Sequence, residues 1–282
     1  MTDLLVAIRA FESGATLLVA GVLFFDTFVA DSETNGARSR RALVQVAAIV
    51  GLISGAAWIA VQAAILGESL SRDADARLLA TLIVNTQFGR VMAARLLLFL
   101  VLIRLLRWPG VGATLGAILV VSLAWCGHAA AGSGQLGLVH LVADCLHLAA
   151  AAAWLGGLVS LAGALHRPTA ATVPMVRRFS TLGVAAVSTL AATGLTNSAF
   201  LVGTVGNLVT TPYGRALTLK LLLFCCMLCF AGMNRWWVLP RLQVSPDVSA
   251  LRRNTVAEAI LGGLVVLVVA WLGVQPPAAH VH

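Results

Sequence analysis

Charged residues are scarce in this chain. Only 11% of its 282 residues are Asp, Glu, Lys or Arg, whereas a soluble domain of ordinary composition carries about 25%. Hydrophobic residues make up 60%, and the mean hydropathy is +0.95. The apolar runs continue for about 20 residues, the length that a helix needs to cross a bilayer, and they lack the alternation typical of β-barrel strands. We therefore predict an all-α, polytopic membrane protein.

The sequence also lacks the features of several other classes. Its formal net charge is +8, but it has no long basic tail or aromatic–basic platform, so no nucleic-acid partner is expected. The five cysteines lie in apolar runs, which argues against a disulfide framework. Without a hydrolytic triad, phosphate loop or nucleotide motif, neither an enzyme nor an ATP-driven pump is indicated. The first apolar run is too long for a cleavable signal peptide and has no basic residue before it.

The sequence instead contains eight apolar segments, which we predict to be transmembrane helices in lipid. They form a single integral membrane domain covering 1–282, with spans at about 4–29, 43–66, 89–106, 111–130, 136–165, 179–203, 215–238 and 256–274. The connection at 67–88 is predicted to include a short interfacial helix. Gly51 and Gly55 in the second segment favour a close approach of a neighbouring helix.

The arginines predict the orientation of these segments. Twelve of them follow segments one, three, five and seven, and the remaining connections hold far fewer. Positively charged connections stay in the cytoplasm. The even number of segments then places the N-terminus and the C-terminus both in the periplasm.

Polar residues concentrate where the fourth and fifth segments meet. His128 ends the fourth segment, and His140, Asp144 and His147 follow in the fifth. On an ideal helix the last three project within an arc of about 60°. Ionisable groups inside a membrane span are costly and usually face the interior of a bundle. Imidazole and carboxylate ligands suit Cu(II), Zn(II) or Ni(II), so the pattern predicts a metal site facing the periplasm.

Other interpretations of these residues stay open. The cluster could be hydrogen-bonded contacts between helices, and Asn197 in the sixth segment is predicted to be such a contact. Two histidines on neighbouring helices could instead bind haem b for electron transfer. Further in, Met227, Cys225, Cys229 and Glu258 could line a lower metal pathway, because sulfur ligands suit Cu(I). Cysteine is, however, also a common small apolar residue of buried helices.

An ordered set of sequence blocks resembles the CopD/PcoD family of bacterial inner-membrane copper proteins. The blocks are WCGHA (125–129), HLVADCLHLAAAAAWLGGL (140–158), RRFS (177–180), TPYGRALTLK (211–220), MNR (233–235) with Pro240, and Glu258. They occur in the order that the family has, with similar short connections. The first three segments match the family only in general character.

The resemblance implies copper transport from the periplasm towards the cytoplasm, in copper resistance or copper homeostasis. The implied copper positions are His128, Asp144 and His147, with His140 as a further candidate. The usual partner is a periplasmic CopC-type copper-binding protein, and since no such domain is present in this sequence, a separate donor is implied. Only four methionines follow Met1, few for a methionine-lined Cu(I) path, so the ion could cross as Cu(I) or Cu(II). A copper-binding sensor or structural subunit is the remaining alternative.

Overall fold

A computed structural model describes residues 2–31, 35–69, 76–127, 134–242 and 247–276, and within these ranges all regular structure is helical. The first half holds α1 (Thr2–Phe28), α2 (Ala37–Ser69), α3 (Ala76–Asn85), α4 (Gln87–Leu105) and α5 (Pro109–Ser122), which continues as a 3₁₀ turn (Leu123–Cys126). The second half holds α6 (Gly134–Ala164), α7 (Thr172–Val202), α8 (Asn207–Thr210), α9 (Pro212–Met233), a π-helical segment (Asn234–Val238), α10 (Leu239–Arg241) and α11 (Ser249–Leu272).

Six of the described helices are long and apolar enough to cross a membrane. They are α1, α2, α6, α7, α11, and α9 together with its extension to Arg241. The all-α, multi-pass prediction is thus confirmed. The predicted third and fourth spans correspond to α4, which contains Arg90, Arg95 and Arg104, and to the shorter α5 with its 3₁₀ turn. Neither is among the six, so a total of eight spans stays a prediction.

Helix α1 lies at the centre of the bundle. It contacts α2 and α5 on one side and α6 and α11 on the other. One apolar core joins α1 to α2, α4 and α5, and another joins it to α6, α7, α9 and α11. Helices α1 and α6 approach closely at Gly21 and Gly156, where a Cβ atom on Gly156 would lie 2.6 Å from the Gly21 Cα atom. Helix α6 is therefore held against the centre of the fold.

The glycines predicted in the second segment have the expected role. A Cβ atom on Gly51 would lie 2.5 Å from Cζ of Phe99, and one on Gly55 would lie 3.0 Å from a methyl group of Leu96. Both partners belong to α4. Hydrogen atoms in place of side chains therefore allow α4 to pack closely on α2.

The π-helical segment has a simple cause in the sequence. Pro240 has no N–H group and cannot donate to the carbonyl group four residues earlier. The backbone N–H of Leu239 instead bonds to the carbonyl oxygen of Asn234, five residues before it. This local widening occurs where Trp236 and Trp237 are exposed on the bundle surface. Exposed tryptophans are typical of the zone where a helix leaves the hydrocarbon core.

Candidate metal site between α6 and α7

His147 of α6 makes its polar contact with α7. Its Nδ1 atom lies 3.0 Å from Oγ1 of Thr193, and the Thr193 hydroxyl donates to the carbonyl oxygen of Thr189 at 2.6 Å. A hydroxyl group has a single proton, so Thr193 must accept a hydrogen bond from His147. The Nδ1 atom of His147 therefore carries the proton, and Nε2 has the free lone pair that a metal ion requires.

Asp144 lies one turn earlier on α6 and also bonds to α7. Nδ2 of Asn197 donates to Oδ1 of Asp144 at 3.1 Å. A carboxylate can only accept, and this fixes the amide orientation. The oxygen of the Asn197 amide is buried and has no hydrogen-bond partner. Asn197 thus joins two helices, as predicted, and leaves an unpaired oxygen atom beside Asp144.

Two further elements border Asp144. Lys220 of α9 is half-buried, and its charge interacts with both the Asp144 carboxylate and the His147 ring. At the end of the 3₁₀ turn, a Cβ atom on Gly127 would lie 4.0 Å from Oδ2 of Asp144. The carboxylate therefore lies between α7, α9 and the end of the α5 region, and it interacts electrostatically with the ammonium group of Lys220.

His140 has a different environment from His147. Its ring is buried and stacks on Phe200 of α7, with the ring centroids 4.7 Å apart and an interplanar angle of 9°. Stacking of this kind stabilises the packing of α6 on α7. His140 is thus held by an aromatic contact, whereas His147 is held by a hydrogen bond.

The structure describes three of the four predicted ligands, His140, Asp144 and His147. His128 lies outside the described residues, whereas its neighbour Gly127 is described and lies beside Asp144. Within the described ranges, no group of three or more His, Cys, Asp or Glu residues is arranged to hold one metal ion. The described part of the candidate site consists of His140, Asp144, His147 and their partners on α7 and α9.

The structure separates the residues of the predicted lower pathway. Met227 and Glu258 are buried in the bundle, whereas Cys225, Cys226 and Cys229 are exposed on the outer side of α9. Glu258 accepts a hydrogen bond from Nδ2 of Asn234 at 2.7 Å. The cysteines therefore do not share a surface with Met227 and Glu258.

The sequence analysis did not predict the contact of Thr193 with His147, although the spacing of polar residues on the two helices indicates it. Asp144 and His147 are three residues apart on one helix, and Thr193 and Asn197 are four apart on another. Both spacings place two side chains on one helix face. Complementary polar pairs on two apolar helices indicate contact between those faces, but only the structure shows which helices are neighbours.

Two protein families match large parts of this chain. Residues 1–138 match the family described as Copper resistance protein D-like, N-terminal domain, and residues 173–272 match the family described as Copper resistance protein D. The chain belongs to the CopD family. Asp144 and His147 lie between the two matched ranges. The N-terminal match covers the first three segments, which the sequence had related to CopD only by their general character.

A curated relative extends the CopD match over nearly the whole chain. It is the Inner membrane protein YebZ of Escherichia coli (strain K12), 27% identical over 285 residues, which cover 96% of this chain and 98% of that protein. No solved structure matches this chain. Both matching families are named for copper resistance, and no comparison supports the haem alternative.

Proposed function

We propose that this CopD-family protein transports copper across the bacterial inner membrane, from the periplasm towards the cytoplasm, through a site at α6 and α7. The observation that carries the proposal is the hydrogen bond from His147 to Thr193, which leaves Nε2 of the imidazole free to bind a metal ion. Asp144 lies one helical turn away and supplies a carboxylate. A ligand histidine in a metal site commonly donates its other ring N–H to a protein oxygen, as His147 does.

The chemistry of the donor atoms supports copper. Imidazole nitrogen together with carboxylate or amide oxygen suits Cu(II), as it also suits Zn(II) or Ni(II). The unpaired oxygen of Asn197 is available beside Asp144, and His140, four residues before Asp144 on α6, is a further proposed ligand. His128 is also proposed as a ligand, from its position in the sequence. The family descriptions, Copper resistance protein D and its N-terminal domain, point to the same metal.

Eight spans with both termini in the periplasm are part of this proposal. The 19 residues of α4 extend about 28 Å, close to the hydrocarbon thickness of about 30 Å. The 14 residues of α5 and four of the 3₁₀ turn extend about 29 Å. The buried guanidinium of Arg95 is paired with Glu12, which lowers the cost of a charge within α4. Twelve arginines would then lie on the cytoplasmic side, at the ends of the helices and in the connections between them.

The setting implies an external copper donor. The relative YebZ is named as an inner membrane protein, and the same membrane is proposed here. The site would open to the periplasm, where a CopC-type copper-binding protein is the proposed partner. The donor would then bind close to the connection between the α5 region and α6.

Copper uptake by the purified protein in proteoliposomes tests the proposal. We expect His147→Ala to abolish most uptake and to lower the copper bound per chain. His166→Ala is the matched control, because His166 is exposed beyond the opposite end of α6, and it should retain both properties.

Two results would contradict the proposal in different ways. Equal uptake by wild type and His147→Ala would exclude transport through this site. Normal binding without uptake by the wild-type protein would instead support a sensor or structural subunit. A Soret absorbance band in the purified protein would favour haem.

A further inference from the structure

A pair of sulfur atoms lies outside the α6–α7 site. Sγ of Cys126, at the end of the 3₁₀ turn, is 3.8 Å from Sδ of Met92 in α4. Met92 is fully buried, and Cys126 is half-buried. The two residues are 34 positions apart in sequence, so their contact depends on the packing of α4 against the end of the α5 region. The contact is a property of the fold that no sequence motif reveals.

Charged groups act on the Cys126 thiol of this pair. Oε1 of Glu12 accepts hydrogen bonds from the guanidinium of Arg95, and Oε2 of Glu12 is buried without a hydrogen-bond partner. Glu12 itself is completely buried. The charges of Glu12, Arg95 and Arg9 all interact with the Cys126 thiol. A buried carboxylate oxygen without a partner is costly, so this oxygen of Glu12, whose charge acts on the Cys126 thiol, requires an explanation.

We propose that Met92 and Cys126 form a Cu(I) site. Thiolate and thioether sulfur are soft ligands that select Cu(I). If the ion bonds to each sulfur at about 2.3 Å, as Zn does to thiolate, the 3.8 Å separation gives a sulfur–metal–sulfur angle of about 110°. This angle lies near the values for trigonal and tetrahedral coordination, and it leaves room for a third ligand.

The charge balance of this site suits a buried position. Binding of Cu(I) displaces the proton of the Cys126 thiol to solvent, and the resulting thiolate–copper pair has no net charge. No copper oxidation or reduction is involved. A neutral pair avoids the large desolvation cost of an isolated ion inside the bundle. Arg95 already balances Glu12, so the Glu12 carboxylate adds no unpaired charge to the surroundings of the ion.

The sulfur pair and the α6–α7 site are close along the chain. Cys126 directly precedes Gly127, which lies beside Asp144. The inference rests on the proposed function only for the identity of the metal. Each site has its own ligands, and each can fail separately.

Cu(I) binding to the purified full-length protein in detergent tests the site. The protein would be titrated anaerobically against a chromophoric Cu(I) chelator. We expect Cys126→Ser and Met92→Leu each to bind about one equivalent of Cu(I) less than the wild type in competition with the chelator. The double variant should lose no more Cu(I) than either single variant. Cys145→Ser and Met175→Leu are matched controls from α6 and α7, and they should bind as the wild type does.

Alkylation of the five cysteines, followed by mass spectrometry, gives an independent measurement. Cu(I) should protect Cys126 from alkylation, and this protection should disappear in Met92→Leu. Leu for Met is a swap of similar volume that apolar cores usually tolerate, so this variant remains informative if Cys126→Ser folds poorly. Unchanged Cu(I) binding and unchanged protection in Met92→Leu would overturn the site.

The two proposals give separable results. Loss of copper uptake in His147→Ala, with normal Cu(I) binding in both sulfur variants, would overturn the sulfur site and support the proposed function. Loss of Cu(I) in the sulfur variants, with full uptake in His147→Ala, would support the sulfur site and contradict the proposed route.

Discussion

The Nδ1 atom of His147 and the Oγ1 atom of Thr193 lie 3.0 Å apart across the contact between α6 and α7. Because the threonine proton is already donated within α7, this contact selects the imidazole tautomer with a free Nε2. In the proposed site, Thr193 would thus prepare His147 for a metal ion without itself being a ligand. The relationship makes Thr193 the most direct test of the site.

Thr193→Val should weaken copper binding by about ten- to a hundredfold, the usual effect of losing a partner that orients a metal ligand. Valine keeps the shape of threonine but cannot accept the N–H of His147. Competitive copper titration of the purified protein measures the effect. Thr189→Val is the control, because the Thr189 hydroxyl is exposed and bonds only to its own helix. Equal losses in both variants would indicate a general effect on α7.

Lys220→Met should strengthen copper binding. The charge of Lys220 interacts with Asp144 and His147, so it offsets the carboxylate in the free protein and repels an incoming cation. We expect the affinity to rise about tenfold, or ~1.4 kcal/mol, and the metal-free protein to melt at a lower temperature. Lys220→Arg keeps the charge and should bind copper as the wild type does. A decrease in affinity in Lys220→Met would mean that the ammonium group positions Asp144.

The sequence was sufficient to predict the helices but not their partners. Predicted segment five at 136–165 became α6 (Gly134–Ala164), and the short helix expected in 67–88 is α3 (Ala76–Asn85). Long apolar runs determine such elements almost alone. Helix α7 begins at Thr172, seven residues before its predicted start, because the amphipathic turn with Arg177 and Arg178 precedes the strongly apolar run. Hydropathy predicts the part of a helix that lies in lipid, but it does not predict how far the helix continues beyond the lipid at its polar end.

The candidate site could be predicted only in part. The spacing of Asp144 and His147 indicates a common face, and the structure gives both residues partners on α7. His140 shares that spacing, but its ring stacks on the half-buried Phe200 of α7, a contact between helices that spacing along one helix does not reveal. The cysteines of α9 are exposed, while Met227 is buried. When a helix is apolar on all sides, tertiary packing decides which of its faces is buried, and hydropathy alone does not reveal that face.

Arg95→Met should destabilise the protein by about 3–5 kcal/mol, because it leaves the buried Glu12 carboxylate without its counter-charge. Adding Glu12→Leu should recover much of this loss, since an apolar pair needs no compensation. Thermal denaturation in detergent measures both variants. The exposed ion pair between Arg178 and Asp31 is the comparison, and Arg178→Met should cost less than about 1 kcal/mol. Similar losses for the buried and the exposed arginine would contradict the assignment of Arg95 to the core.

Gly21→Ala should disrupt the contact between α1 and α6. A Cβ atom there would collide with the carbonyl oxygen of Ala152 and lie 2.7 Å from the Gly156 Cα atom. Both are backbone atoms, which cannot move aside as a flexible side chain can, so we expect a loss beyond the usual 1–3 kcal/mol of overpacking. Gly156→Ala should act similarly. Thermal denaturation provides the measurement.

Gly163→Ala is the control for this experiment, because no atom lies within 4 Å of a Cβ at that position. It should leave stability unchanged or raise it by about 0.5–1 kcal/mol, the helical preference of alanine over glycine. If Gly21→Ala melts at the same temperature as Gly163→Ala, then α6 does not pack on α1 this closely. The contact with α1 would then not be what holds His147 and Asp144 in place, and copper binding by Gly21→Ala would equal that of the wild type. Copper binding by this variant therefore tests whether the α1–α6 contact supports the proposed site.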